Sequence, residues 1–564
     1  MSTFELLRKQ YSHETSIHEN KNVTGTVYTP IAIAKKMVYL LLKNHVENST
    51  CHKTFGPNDF ETVYIQNYLN ELPSNDLMAQ KLFDYFSVLK ILDLSCGSGA
   101  LLLAYLEFID YLFILSKEKS IAKLKRILES HIFGVDVEPK AILSLNETLC
   151  AYSEQVGLAN LKFNLYCLNS LLDDLPIKLA SFDLVIGNPP YIGEKNNLSW
   201  FKPVKETDFG KSYYEGKMDF FYFFIYKGYD YVKRNGSLCY LSSNYFFTAD
   251  GAKKLRKFIK ENFNMVKFLD FGEERVFPDK KLHACVYVLQ KKNHHELIKY
   301  GANLAPEKQF EMCDIYHDDG TMGFIVSDKT RHLLSTISRE QLGTLGMYYD
   351  INQGIVSGAD AQFVYMNSEI HKLPPELHQY LKPFYKNSDI DHYKIKSSYE
   401  RQILYIDSAD VNEALTKWLQ PYKEKLSKRR EVVNGIREWY MLTWPRSERI
   451  FTGEKIVVPQ RAMSNRFAFV DFPFYASADV YFITANARSP YSLKILTQIL
   501  NAELYKLWLS HKGKKKGNLL ELYATPLKNL PLPRLSESMC DVLAETHGPD
   551  LSIDHLLKKS FNLK

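Results

Sequence analysis

At 564 residues the chain is too long for a single hydrophobic core, so at least two domains are expected. A composition of 45% hydrophobic and 24% charged residues excludes a disordered or collagen-like chain. The net charge of +6 is too small to identify a partner, and eight cysteines without a Cys-x-x-Cys pair suggest neither a zinc site nor a disulfide framework. No metal is expected, and a reducing, cytoplasmic setting is.

The first 22 residues are polar and irregular, an arm without the pattern of a signal peptide. Gly25-Thr26-Val27-Tyr28-Thr29-Pro30 then precedes Ile33, Met37, Val38 and Leu41 at helical spacing. Thr29 reads as the N-cap, with Pro30 at the first helical position. A helix N-terminus with a free hydroxyl suits a carboxylate.

Residues 88–94 read as a strand, followed by the turn Ser95-Cys96-Gly97-Ser98-Gly99 and a helix from Ala100. The glycines allow backbone to approach a ligand at the first strand–helix junction. No Gly-Lys-Ser/Thr follows, which excludes a phosphate loop, and Asp93 at the strand tip suits a cationic ligand group instead. Residues 100–115 are the most apolar long stretch but contain Glu107 and Asp110, so they read as a buried helix rather than a membrane span. The strand 132–136 ends at Asp136, which can accept both hydroxyls of a ribose, as acids do at the second strand tip of nucleotide-binding sheets. Residues 165–170 read as a third strand ending near Asn169 and Ser170.

Ser181 to Tyr191 is the centre of the pattern. Leu184 to Ile186 reads as a buried parallel strand, ended by Gly187 and by two prolines that lack the N–H needed to continue it. The loop Asn188-Pro189-Pro190-Tyr191 therefore stands at the carboxyl end of a strand, where open α/β sheets place ligands. One amide, bare carbonyls and a ring can accept hydrogen bonds from an exocyclic amine and stack on its base. Residues 192–216 read as a mobile loop over this site. After them come an aromatic helix (218–232), a strand (237–242), a helix (251–262), a strand (265–270), the segment Val276-Phe277-Pro278 and a last strand (284–289).

In this order the motifs resemble those of the γ class of N6-adenine DNA methyltransferases, from restriction–modification systems and solitary relatives. The resembling stretch covers residues 25–292. The resemblance implies an α/β, Rossmann-like class I methyltransferase fold with a mixed seven-stranded sheet, followed by a C-terminal α+β target-recognition domain. It implies S-adenosyl-L-methionine as cofactor, held by Tyr28, Thr29, Asp93, Ser95, Gly97, Gly99, Asp136, Val137, Asn169, Ser170, Asn188 and Pro190. The family commonly has an acid where this chain has Asn169, and nearby Asp173 competes for that role of accepting from the adenine N6 of the cofactor. Catalysis is implied at Asn188 and Pro189, with Tyr191 and Phe277 clamping a flipped-out adenine.

From residue 291 the pattern changes, and residues 293–328 are polar without periodicity. The domains are expected at 1–310 (catalytic) and 311–564 (DNA-binding). Residues 351–359 resemble the start of the family's target-recognition domains. Residues 381–470 contain 17 Lys or Arg against 11 Asp or Glu, an excess equal to the net charge of the whole chain. Lys423, Lys428, Arg429, Arg430, Arg437, Trp439, Tyr440 and Arg461 are the expected DNA contacts, since basic residues interleaved with aromatics suit a phosphate-tracking surface. Double-stranded DNA is the expected partner, bound by a monomer, with any cognate restriction endonuclease a separate protein and no membrane involved. Methylation of RNA or of protein glutamine shares the tetrapeptide, as would an idle binding subunit. The large basic second region favours DNA over the former, and the intact tetrapeptide argues against the latter.

Overall fold

The computed structural model describes residues 29–48, 57–68, 76–272, 274, 276–277, 283–291, 298–302, 311–316, 320–325, 328–516, 519–546 and 548–563. Tyr28 and the N-terminal arm lie outside the described residues. The chain forms two compact units, Met1–Val326 and Ser327–Lys564.

The first unit is built on one sheet. Its strands are β1 (Ile91–Asp93), β2 (Ile132–Asp136), β3 (Asn164–Cys167), β4 (Phe182–Gly187), β5 (Val232–Ser243), β6 (Asn264–Asp270), β7 (Ala284–Gln290), β8 (Ile298–Ala302), β9 (Glu311–Tyr316) and β10 (Met322–Ile325). The order β3-β2-β1-β4-β5-β7-β6 is the expected mixed seven-stranded arrangement, parallel except for β7, which runs antiparallel between β5 and β6. Beyond β6 the sheet continues through β8, β9 and β10. This extension carries the first unit past the expected boundary at residue 310, because β9 and β10 hydrogen-bond to its sheet rather than opening the second unit.

Leu184, Val185 and Ile186 of the central β4 are fully buried, as a strand covered on both faces requires. Gly187 ends it where a Cβ would lie 2.8 Å from the buried Tyr240 ring, so only glycine fits. Three helices bear on the site: α1 (Ile31–Asn48), α2 (Ala100–Leu115) and α3 (Pro139–Gln155). The two acids of α2 are buried with partners. Glu107 accepts from Lys35 Nζ of α1 at 3.0 Å, and Asp110 from the Tyr152 hydroxyl of α3 at 2.7 Å. That pairing lets charge reside in an otherwise apolar helix. Among the described residues no helix is long and apolar enough to cross a membrane.

Residues 192–216, expected as a mobile loop over the site, contain two helices, α4 (Leu198–Glu206) and a short one at Asp208–Tyr213. Phe201 and Val204 of α4 are buried, and Thr207 caps the second helix by accepting from Gly210 N at 2.9 Å. This apolar anchorage, together with the cap, turns a polar stretch into a wall. Next in the chain is the aromatic helix α5 (Phe221–Tyr231).

The second unit holds a four-stranded antiparallel sheet in the order Tyr349–Gln353, Val480–Ala485, Lys455–Pro459, Ala468–Val470. A second four-stranded sheet runs Val364–Met366, Arg401–Leu404, Leu381–Tyr385, Tyr475–Ala476. Helices Leu493–Asn501, Glu503–Lys512, Glu537–Glu545 and Leu551–Ser560 complete an α+β unit.

Candidate active site

The carboxyl ends of β1, β2 and β4 open on a cavity of about 360 Å³, within the range of ~300–1,000 Å³ usual for small-ligand sites. Its wall contains Thr29, Asp93, Ser95, Gly97, Asp136, Val137, Asn169, Ser170, Asn188, Pro189, Pro190 and Tyr191, residues drawn from five separate stretches of sequence.

Asp93 is 1% exposed, and burial pushes its carboxyl up to about 8. The Ser95 N–H, donating to Oδ1 at 2.9 Å, opposes that rise, and the charge of Asp136 adds to it. A buried acid of this kind fits a ligand cation, which would return it to the carboxylate. Asp136 accepts from Gly97 N at 2.8 Å through Oδ2 and from Glu138 N at 2.9 Å through Oδ1. It thus ties the glycine turn to the tip of β2 and keeps one further lone pair on each oxygen for a ligand. Burial raises its carboxyl too, while these amides work the other way.

The two glycines of the turn have different jobs. Gly97 is at φ +51°, lines the cavity and has open space where a side chain would be. Gly99 is not on the cavity wall. It starts α2 at φ +85°, and a Cβ there would lie 2.3 Å from Leu145 of α3. The close approach it allows is therefore to a helix and not to a ligand.

Asn169 lines the cavity, but its Oδ1 already accepts from Leu171 N at 3.0 Å in a local turn. Asp173, the competitor, accepts from Asn169 N at 2.7 Å and is exposed. The Ser170 hydroxyl donates to the Leu94 carbonyl at 2.6 Å, joining the segment after β3 to the residue that follows β1.

At the end of β4 the Asn188 amide is held from both sides. Its Nδ2 donates to Thr29 Oγ1 at 3.1 Å, and its Oδ1 accepts from the Tyr191 hydroxyl. That hydroxyl is also 3.0 Å from the Leu241 carbonyl of β5. Thr29 stands one residue further from the helix than an N-cap: α1 begins at Ile31, and the Pro30 carbonyl accepts from Ala34 N. Asp219, half-buried and pushed up to about 6 by desolvation, accepts from Ile192 N at 3.1 Å and so fastens the residue after Tyr191.

The Tyr191 and Phe277 rings are brought together as expected, but with no slot between them. Their centroids are 6.2 Å apart at 49°, and Phe277 is only 3% exposed. Phe277 is packed into the core and is not on the cavity wall, so a base can enter between these rings only if they part. Pro278 lies outside the described residues.

Sequence reasoning missed Ser199, Trp200 and Pro203 on α4 and Phe220 and Phe224 beside them, which form the opposite, largely apolar wall. The apolar spacing of Leu198, Phe201 and Val204 was the available signal.

In the second unit the expected DNA residues divide. Lys423, Lys428 and Arg430 are exposed. Lys428 pairs with Glu424 at 2.6 Å, and Lys423 lies 5.4 Å from the centroid of the half-buried Trp439 ring. Arg437 lies 5.8 Å from the centroid of the Trp444 ring, the Tyr440 hydroxyl donates to the Ala409 carbonyl, and Arg461 binds Tyr523 and Glu521. Arg429 is a correction. Its guanidinium donates to the carbonyls of Leu426 (3.0 Å), Ser357 (3.0 Å), Trp439 (2.7 Å) and Met441 (2.9 Å). With its donors spent on backbone, it is a fastening inside the unit rather than a phosphate contact.

Residues 130–277 match the Eco57I restriction-modification methylase family, and residues 382–532 match the TaqI-like C-terminal specificity domain. The Type II methyltransferase M.HindII of Haemophilus influenzae is 27% identical over 395 residues, spanning 63% of this chain and 75% of that protein. The Type II methyltransferase M.BanIII of Aneurinibacillus aneurinilyticus is 22% identical over 563 residues, 87% of this chain and 92% of that one. The fold of the Type IIL restriction-modification enzyme MmeI, solved in complex with DNA, superposes with a TM-score of 0.71 at 14% identity, covering 98% of this chain and 78% of that one. The chain thus pairs a region like the Eco57I restriction-modification methylases, a methylase family that uses S-adenosylmethionine as methyl donor, with a region like the TaqI C-terminal specificity domain, and the curated relatives it matches are Type II methyltransferases.

Proposed function

We propose that the chain methylates N6 of an adenine in duplex DNA, at a base turned out of the helix, as an enzyme of the γ class. The observation that carries this reading is the Asn188-Pro189-Pro190-Tyr191 loop at the end of β4, on the wall of the same cavity as the buried Asp93 and the Gly97 turn. The cofactor supplies an electrophilic methyl on a sulfonium. Asp93 offers a carboxylate to its ammonium group, and Asp136 offers lone pairs to its ribose.

The lone pair of adenine N6 is delocalised into the ring and is a poor nucleophile. Asn188 Oδ1 and the Pro189 carbonyl each accept one N6 hydrogen, which favours a pyramidal nitrogen with its lone pair turned to the methyl. These oxygens are in place before positive charge develops on N6, and so they stabilise it without reorganisation. Neither is basic enough to keep the proton, which leaves to water once the N–C bond has formed. Most of the rate then comes from holding two partners in line. Turning the base out is required because a duplex hides N6, and Tyr191 and Phe277 hold it by stacking. The enzyme acts as a monomer, and a cognate restriction endonuclease would be a separate protein.

Digestion and mass spectrometry of DNA incubated with the purified protein should yield N6-methyladenine. Asn188→Ala should lower the transfer rate by roughly 10²–10³-fold, the loss typical of a preplaced polar group at a reacting centre, while calorimetry shows the cofactor bound nearly as before. A methylated cytosine as product, or near-normal turnover in the variant, would refute the reading.

A further inference from the structure

The two ends of a carboxamide have almost the same shape, so hydrogen-bond partners alone decide which way round Asn188 sits. On one side stands the Tyr191 phenol. It has one proton and two acceptors within reach, Asn188 Oδ1 and the Leu241 carbonyl at 3.0 Å. Whenever that proton goes to Leu241, the phenol oxygen becomes an acceptor, and an acceptor there favours the amide reversed, with Nδ2 toward the ring. Tyr191 therefore does not by itself hold Asn188 as acceptance of an amine requires. On the other side, 159 residues earlier in the chain, the Thr29 hydroxyl lies 3.1 Å from Nδ2 and is 9% exposed.

We propose that Thr29 is the positioning residue of the catalytic amide: by accepting from Nδ2 it keeps Oδ1 on the Tyr191 side, where the target base stacks. The proposal rests on the adenine reading above and adds to it a reason for the conjunction of α1 with the end of β4. Thr29 also lines the cavity. The hydroxyl donates its one hydrogen bond to an anionic group seated there, leaving Oγ1 able only to accept from Nδ2, so a filled cavity locks the amide the productive way round.

Thr29→Val keeps the shape of the side chain and removes the hydroxyl, and Thr29→Ser restores it. With saturating S-adenosylmethionine, the valine variant should transfer methyl in a single turnover roughly tenfold to a hundredfold more slowly than the parent, the cost of one lost hydrogen bond compounded by a misplaced reacting group. Serine should recover most of that rate. S-adenosylhomocysteine affinity, read by calorimetry, should fall by roughly tenfold, the low end for losing a hydrogen bond to a charged group, a loss that saturating donor removes from the measured rate. A valine variant with the parent's rate overturns the proposal. So does one whose defect lies in S-adenosylhomocysteine affinity and disappears at saturating donor, which would make Thr29 a cofactor ligand only. If the valine variant does not fold, Thr29→Ala takes its place in the same comparison. The parent's own product keeps the two claims apart: N6-methyladenine tests the reading, and the valine-to-serine ratio tests the positioning role.

Discussion

At the scale of single residues, the site is costly to the fold that carries it. Asp93 is held near pKa 8 by burial, against 3.8 for a free aspartate, so it is mostly protonated at neutral pH until a cation arrives. Binding of the donor's ammonium should then release a proton. Between about pH 6 and 7.5, where an α-amino group stays charged, affinity should rise by up to about tenfold per pH unit. Calorimetry in buffers of different ionisation heat reads that proton directly, and Asp93→Asn should flatten the dependence. A flat profile in the parent would give the ammonium another partner. For folding, a carboxyl raised in the native state contributes most below pH 4 and loses that contribution as pH rises through about 8. Asp93→Asn should therefore raise the melting temperature of the ligand-free protein, and more at pH 8 than at pH 4.

At the scale of elements, α4 and the Tyr191–Phe277 pair show where sequence is silent. The strands and their tips were legible, because Asp93, Asp136 and Asn188 end apolar runs at points where glycine or proline forbids continuation. Wall residues were not, since Trp200 and Pro203 acquire their role from which way a short helix faces. Phe277 was assigned by position in the motif order, and its burial is a tertiary fact. Phe277→Leu keeps most of the volume and should cost under about 1.5 kcal/mol of stability. If the rings part to take a base, this variant should methylate an adenine opposite a gap nearly as well as the parent and a paired adenine distinctly worse, because unpairing is cheaper at the gap. Equal losses on both substrates would leave Phe277 a core ring.

For the whole molecule, the expectation that recognition belongs to the second unit and chemistry to the first has a test in the salt response. DNA affinity should fall steeply with ionic strength, each neutralised phosphate contributing a slope of about −0.9. Lys425, Lys428 and Arg430 are exposed, and replacing all three by alanine should flatten that slope by up to about 2.7 while cofactor affinity stays unchanged. An unaltered slope would make the cluster a solvated helix face. Arg429 is kept in this design, for Arg429→Met should lower the melting temperature instead. The sequence presented Arg429 as one more cation in a run, because no pattern in it reveals that carbonyls from residues 357, 426, 439 and 441 converge on one side chain. The same limit applies to the domain boundary. Residues 311–325 are polar and look like a linker, yet their strands are claimed by backbone pairing that composition does not encode.

One guanidinium, that of Arg429, grips the chain on both sides of residues 430–438, and it does so through carbonyls that every amino acid possesses. The frame is thus indifferent to the letters written inside it. Side chains between residues 430 and 438 can therefore be exchanged without removing any of the four carbonyls that hold Arg429 in place.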